Sequence, residues 1–191
     1  MDLREAIERY KPFNEQEEHD KALILNALKT EKGVFSRDNA LAHMTASAWV
    51  INPQHDKALM VYHNIYKSWS WLGGHADGDE NLLNAAIREV KEESGVVDVK
   101  PLFTDIFSLE VLTVDGHIKN GHYVSSHLHL NVTYLLEVDD KDPLFVKPDE
   151  NSGVRWFSLS GAIAASTEPW FQEHIYQKLN AKLALLNPED R

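Results

Sequence analysis

The chain has 191 residues, no cysteine and a formal net charge of −11. That length can bury a core without covalent staples, and the missing thiol excludes disulfides, thiolate nucleophiles and zinc–thiolate sites. So few lysines and arginines cannot line a nucleic-acid polymer. No apolar run reaches the ~18 residues of a membrane span, and the start MDLREAIERY lacks a signal-peptide core, so a cytoplasmic chain with no membrane partner is expected.

In chain order, residues 2–10 and 15–32 read as helices broken at Pro12, with Asn14 and Glu17 as a capping-box-like start and Gly33 as the stop. Residues 1–42 are therefore expected to form a helical extension packed on a domain over 43–191. HMTASAWVIN (43–52) and KALMVYH (57–63) read as paired strands around the Asn52-Pro53-Gln54 turn, and 69–72 as a short strand leading into Gly73 and Gly74.

The stretch from Gly74 to Val96, GHADGDENLLNAAIREVKEESGV, organises the rest. Asp79 is a suitable helix cap, Leu82, Leu83, Ala86, Ile87 and Val90 recur at helical spacing, and Gly95 stops the run. Glu89, Glu92 and Glu93 stand at i, i+3 and i+4, which puts three carboxylates on one helix face. Taken alone, such a cluster fits a solvated face, and Arg88 with Glu92 supplies an ordinary ion pair. The glycine loop ahead of it changes the reading, because a backbone carbonyl there can approach a cation without a Cβ in the way. Carboxylates plus a carbonyl are the oxygen set that a hard divalent ion takes while keeping waters for a phosphate substrate.

Downstream, 97–114 has strand character interrupted by Pro101, and Asp115-Gly116 and Asn120-Gly121 are turn signals flanking a small flap, His117 to Lys119. In SHLHLNVTYLLEV (126–138) Leu128, Leu130, Val132 and Tyr134 point one way, and His127, His129, Asn131 and Thr133 the other. That polar side reads as a solvated sheet face, a substrate contact through His127 and His129, or a transition-metal pair, although no third histidine or cysteine is near in sequence. His75 is an exposed loop histidine or a group touching phosphate or the metal shell. Residues 139–150 form an acidic loop, GVRWF (153–157) a strand, a helix follows from Ser158 or Ser160 to Ser166, and 170–186 is a last helix with Ile175, Leu179, Leu183 and Leu186 on one stripe. Trp49, Trp69, Trp71 and Tyr134 fit core positions better than base-stacking ones.

The box resembles the signature of the Nudix hydrolases, a glycine, five residues, Glu, seven residues, Arg-Glu, an aliphatic, any residue, Glu-Glu, any residue, Gly and an aliphatic. Gly74, Glu80, Arg88, Glu89, Val90, Glu92, Glu93, Gly95 and Val96 hold those places. One departure is Leu72, where relatives commonly carry a proline before the glycine pair. The resemblance implies an α/β/α sandwich with a mixed sheet, here carrying the N-terminal helical extension, and a pyrophosphohydrolase that cleaves a diphosphate linkage in a nucleoside diphosphate joined to another moiety. It implies Mg2+ or Mn2+ held by Glu89, Glu92, Glu93 and the Gly74 carbonyl. Arg88 would orient the glutamates, while Gly73, Glu80 and Gly95 support the loop and helix. The base would be Glu89, Glu93 or, from the downstream loop, Glu150. Partners would be a small nucleotide-type substrate and, by family habit, a second copy in a homodimer. Subfamily markers for NADH, coenzyme A, ADP-ribose or diadenosine polyphosphates are not recognisable. Two rival readings share the fold: a nucleotide-sensing module, which often loses box glutamates, and an isopentenyl-diphosphate-type isomerase, which uses a cysteine that this chain lacks.

Overall fold

A computed structural model of the chain describes residues 2–119 and 121–186. Two N-terminal helices come first, α1 (Leu3–Arg9) and α2 (Glu15–Thr30), with the Asp2 and Asn14 side chains accepting from the N–H groups of Glu5 and Glu17. The sheet follows: β1 (Ala42–Ile51), β2 (Lys57–His63), β3 (Ser68–Ser70) and β4 (Leu72–His75), then helix α3 (Leu82–Ser94). After it come β5 (Lys100–Pro101), β6 (Ser108–Val114), the hairpin β7 (His117–Lys119) and β8 (His122–Val124), β9 (His127–Glu137) and β10 (Asn151–Ser158). Helices α4 (Leu159–Ala165), α5 (Pro169–Phe171) and α6 (Gln177–Ala184) close the chain. The Asn120-Gly121 turn expected between β7 and β8 includes Asn120, which lies outside the described residues, as does the end of the expected 43–191 unit beyond residue 186.

The sheet is mixed, with the order β10-β2-β1-β9-β5; β3 pairs with β2, β4 with β1 and β6 with β9. At its centre β1 and β9 run parallel over ten paired positions, from Ala42 opposite Leu128 to Ile51 opposite Glu137. Strand alternation sends alternate residues to opposite faces. Met44, Ala46, Ala48 and Val50 join Leu130, Val132, Tyr134 and the α3 residues Leu82, Ala85, Ala86 and Val90 in one core. Trp49, Ile51 and Leu135 join Ile175, Tyr176, Leu179 and Leu183 in a second core on the other face. The architecture is thus an α/β sandwich with helices on both sides of a mixed sheet. Trp49, Trp71 and Tyr134 are buried in these cores, as their composition suggested.

Several local expectations are corrected. Asn81, not Asp79, caps α3: its side chain accepts from Asn84 N–H, and Asp79 instead accepts from Asn81 N–H. The last helix is not uniform, because Gln172–Tyr176 forms a π-type turn between α5 and α6. Strand character over 97–114 is confined to β5 and β6, with the chain leaving the sheet after Pro101.

The polar side of β9 is not solvated. Asn131 and Thr133 are fully buried, and Asn131 accepts from Thr45 and Ser47 on β1, each at 2.9 Å, while donating to Glu110 at 2.9 Å. Glu110 pairs with Lys178 at 3.0 Å, and Lys178 and Lys182 reach Glu17 of α2 at 3.4 and 2.8 Å. Glu17 therefore does not close a capping box. Its carboxylate accepts from Phe13 N–H, Tyr10 Oη and Ser108 Oγ and has no exposed surface. Burial works to raise its pKa, but Lys182 and Lys178 outweigh that and lower it. Asp20, one turn on, accepts from Val111 N–H at 3.1 Å, so α2 covers the outer edge of β6. No described helix is long and apolar enough to cross a membrane.

Candidate active site

Strand β4 delivers Gly73 and Gly74 beneath α3, paired antiparallel with Ser47 and Ala46 of β1. Gly74 is needed for close approach: a Cβ there would lie 2.5 Å from the Glu89 carboxylate. One turn along α3, Glu93 is 4% exposed and accepts from Gly73 N–H at 2.9 Å. Both acids sit against the glycine pair, because i and i+4 share a helix face. Glu92 points toward the surface, 3.9 Å from Arg88 and 3.1 Å from Lys147.

Arg88 ties the loop to the helix. Its guanidinium donates to Glu89 at 3.1 Å and to the His75 carbonyl at 3.2 Å, and lies 3.9 Å from Asp79. Glu80 is exposed on the loop before α3. Gly95 ends the helix in the left-handed region, φ 75°, and a Cβ on it would meet Phe145 at 2.8 Å. That contact belongs to the 139–150 loop, which docks on the end of α3 through Phe145 N–H to Ser94 O at 2.8 Å, while Asn151 at the start of β10 donates from Nδ2 to Glu93 O at 2.9 Å. Docking brings Glu150 to the cluster: Lys147 bridges it, at 3.1 Å, to Glu92. Lys147 was missed in the sequence, because a lone lysine in an acidic loop carries no positional signal until the loop folds back.

The electrostatics are those of carboxylates short of positive charge. Burial pushes Glu93 up to about 8, against the Gly73 N–H, with Glu89 and Glu150 adding to the rise. Burial likewise raises Glu89 despite Arg88 beside it. At Lys147 partial burial opposes the charge, but the hydrogen bonds it donates to Glu150 and Glu92 prevail and raise its pKa. The residues suit a hard divalent cation: three carboxylates and a glycine carbonyl, all oxygen, with Glu93 buried, Glu89 half-buried and both raised in pKa by burial.

His75, His127 and His129 are brought together, and with them His43 of β1, which the sequence reading did not single out. Register explains it: His43 stands opposite His129 on β9, and Thr45 opposite His75 on β4, so these side chains share the sheet face away from α3. Ring centroids of His43 lie 5.1, 4.8 and 5.0 Å from those of His75, His127 and His129. Burial and the surrounding imidazoles push His129 down to about 2, and burial lowers His43.

A family model described as the NUDIX domain matches residues 41–179. The chain is 30% identical over 95 residues to the bis(5'-nucleosyl)-tetraphosphatase (asymmetrical) of Rattus norvegicus, covering 49% of this chain and 58% of that protein. It thus spans less than two thirds of that relative's length. Among solved structures it resembles a C. elegans Ap4A hydrolase in binary complex, with TM-score 0.54, 20% identity and coverage of 73% of this chain and 98% of the other. It also resembles the E. coli dihydroneopterin triphosphate pyrophosphohydrolase, with TM-score 0.52, 15% identity and coverage of 71% and 92%. At these identities the structural likenesses speak for the fold.

Proposed function

The chain belongs to the NUDIX family, its domain model covering residues 41–179, and on that premise we propose that it is a metal-dependent pyrophosphohydrolase acting on a dinucleoside polyphosphate. The observation that carries the chemistry is the gathering of Glu89 and Glu93 against Gly73 and Gly74, with Glu92 and Glu150 joined through Lys147. The substrate class is supported by the relationship to the rat tetraphosphatase.

Hydrolysis of a diphosphate requires water to reach a phosphorus screened by negative oxygens, so charge must be neutralised and the nucleophile oriented. Glu89, Glu92, Glu93 and the Gly74 carbonyl would hold Mg2+ or Mn2+. Such an ion would supply charge neutralisation at the phosphates and a more acidic water as nucleophile. Arg88 holds the glycine loop and the Glu89 carboxylate in one arrangement, fixing the angle between helix and loop. The proton of the attacking water goes to a carboxylate of the same cluster, Glu89, Glu93 or Glu150. Lys147 links Glu150 to Glu92 at the edge of the cluster.

The test is a substrate panel of diadenosine tetraphosphate, ADP-ribose, NADH, nucleotide sugars, coenzyme A and nucleoside triphosphates, with phosphate liberated by a coupled phosphatase. Metal-dependent turnover highest on diadenosine tetraphosphate, with cleavage into unequal halves, is expected. Preference for another member of the panel would overturn the substrate class, and no turnover of any would overturn the enzyme reading.

A further inference from the structure

The face of the sheet opposite α3 carries a second cluster, built of nitrogen rather than oxygen donors. One ring nitrogen from each of His43, His75 and His129 lies within 4.8 Å of the other two. They come from three strands, β1, β4 and β9, so the sheet itself fixes their spacing. His43 is 4% exposed, and its Nε2 has no hydrogen-bond partner among the described residues. A buried polar atom without a partner is costly and calls for an explanation. Its other nitrogen, Nδ1, lies 3.0 Å from the Asn39 carbonyl. The carbonyl can only accept, so Nδ1 carries the proton and Nε2 is left with a lone pair. A backbone carbonyl orienting a ring in this way is the usual outer partner of a metal-ligating histidine. His127 flanks the group without belonging to it: its Nδ1 lies 2.8 Å from the Ser125 carbonyl, and its Nε2 is within hydrogen-bond distance, 3.2 Å, of His129 Nε2. Two imidazole nitrogens on one tetrahedral zinc stand about 3.3–3.4 Å apart, from Zn–N bonds of about 2.0–2.1 Å, and it is against this spacing that the 4.8 Å limit on the His43, His75 and His129 nitrogens is to be set.

We propose that His43, His75 and His129 form a site for a borderline divalent cation, Zn2+ foremost, separate from the carboxylate site and with a fourth position open to water or to a ligand oxygen. Imidazole donors favour Zn2+, Co2+, Ni2+ and Cu2+, whereas the all-oxygen set around Gly74 favours Mg2+ and Mn2+. The separations between the three ligand atoms, within 4.8 Å, shorten by about 1.5 Å at most to reach the spacing of a tetrahedral site. The two sites meet at His75. Its ring belongs to the histidine cluster, while its carbonyl accepts from Arg88, which also holds Glu89. A cation here pins the end of β4 to β1 and β9 and stands beside the glycine loop.

The experiment is titration of the untagged, chelator-treated full chain with Co2+, read by visible absorption, followed by displacement with Zn2+ against a chromophoric chelator. Three variants accompany it: Glu89→Gln/Glu92→Gln/Glu93→Gln, His43→Gln/His129→Gln and, at a half-buried position less exposed to folding failure, His75→Ala. One equivalent of Co2+ with the intense bands of tetrahedral nitrogen ligation is expected. It should be displaced by Zn2+, unchanged in the glutamine variant, and weakened at least tenfold in His75→Ala and in any folded form of the His43/His129 variant. Absence of tetrahedral Co2+ bands in the wild type would overturn the proposal, as would bands that survive His75→Ala or vanish in the glutamine variant.

Discussion

Replacing Glu93 by Gln removes a proton-binding site while keeping an acceptor for the Gly73 N–H. In the metal-free chain Glu93 is raised from 4.5 to about 8, chiefly by burial. A carboxyl whose folded pKa is raised binds its proton more tightly when folded. Its contribution is therefore complete below the unfolded value and is lost as pH rises through the folded one. Between about pH 6 and pH 9 the linkage relation gives a loss of about 2.5 kcal/mol of unfolding free energy from this one group. Urea denaturation in the presence of chelator at several pH values in that window measures it. Wild type minus Glu93→Gln removes the contribution of every other titrating group. The wild-type stability should fall by that amount relative to the variant, and Mg2+ should abolish the difference in slope, because the cation replaces the proton on the carboxylate. Equal pH slopes for the two proteins in chelator would refute the reasoning.

Three further outcomes follow from particular contacts. Glu17→Ala leaves Lys178 and Lys182 buried without their shared counter-ion and should cost about 3–5 kcal/mol in urea unfolding. Gly74→Ala places a methyl 2.5 Å from the Glu89 carboxylate, the movable end of a side chain. It should therefore fold with nearly wild-type thermal stability, yet lose roughly a hundredfold in turnover at fixed Mg2+. Gly95→Ala forces a Cβ into the left-handed region and against Phe145, and should lower unfolding free energy by about 1–2 kcal/mol while loosening the 139–150 loop, read as faster proteolysis there.

The helix, its glycine stop and the three glutamates were legible in the sequence because they are local: spacing along one helix decides which side chains share a face, and Gly95 announces its own conformation. The mixed sheet and its two-sided cover were likewise expected, and the family relationship accords with them. What the sequence hid is what only pairing between distant strands creates. Alternation in β9 separated Asn131 and Thr133 from the apolar side, but alternation alone does not say whether the polar side meets water or Glu110, Lys178 and Glu17. Glu17 fits a helix cap by spacing, and its role as a buried counter-ion depends on Lys178 and Lys182, more than 150 residues away. His43 had no signal of its own, since only the parallel register of β1 with β9 sets it opposite His129.

The measurement that bears most directly on the carboxylate site as the hydrolytic centre is Mg2+-dependent turnover of the best diphosphate substrate by the wild type and by Glu92→Gln/Glu93→Gln, with circular dichroism confirming that both are folded. Turnover that saturates with Mg2+ in the wild type and falls by roughly a thousandfold in the folded variant is expected. Equal turnover in the two, or wild-type turnover indifferent to chelator, would contradict it.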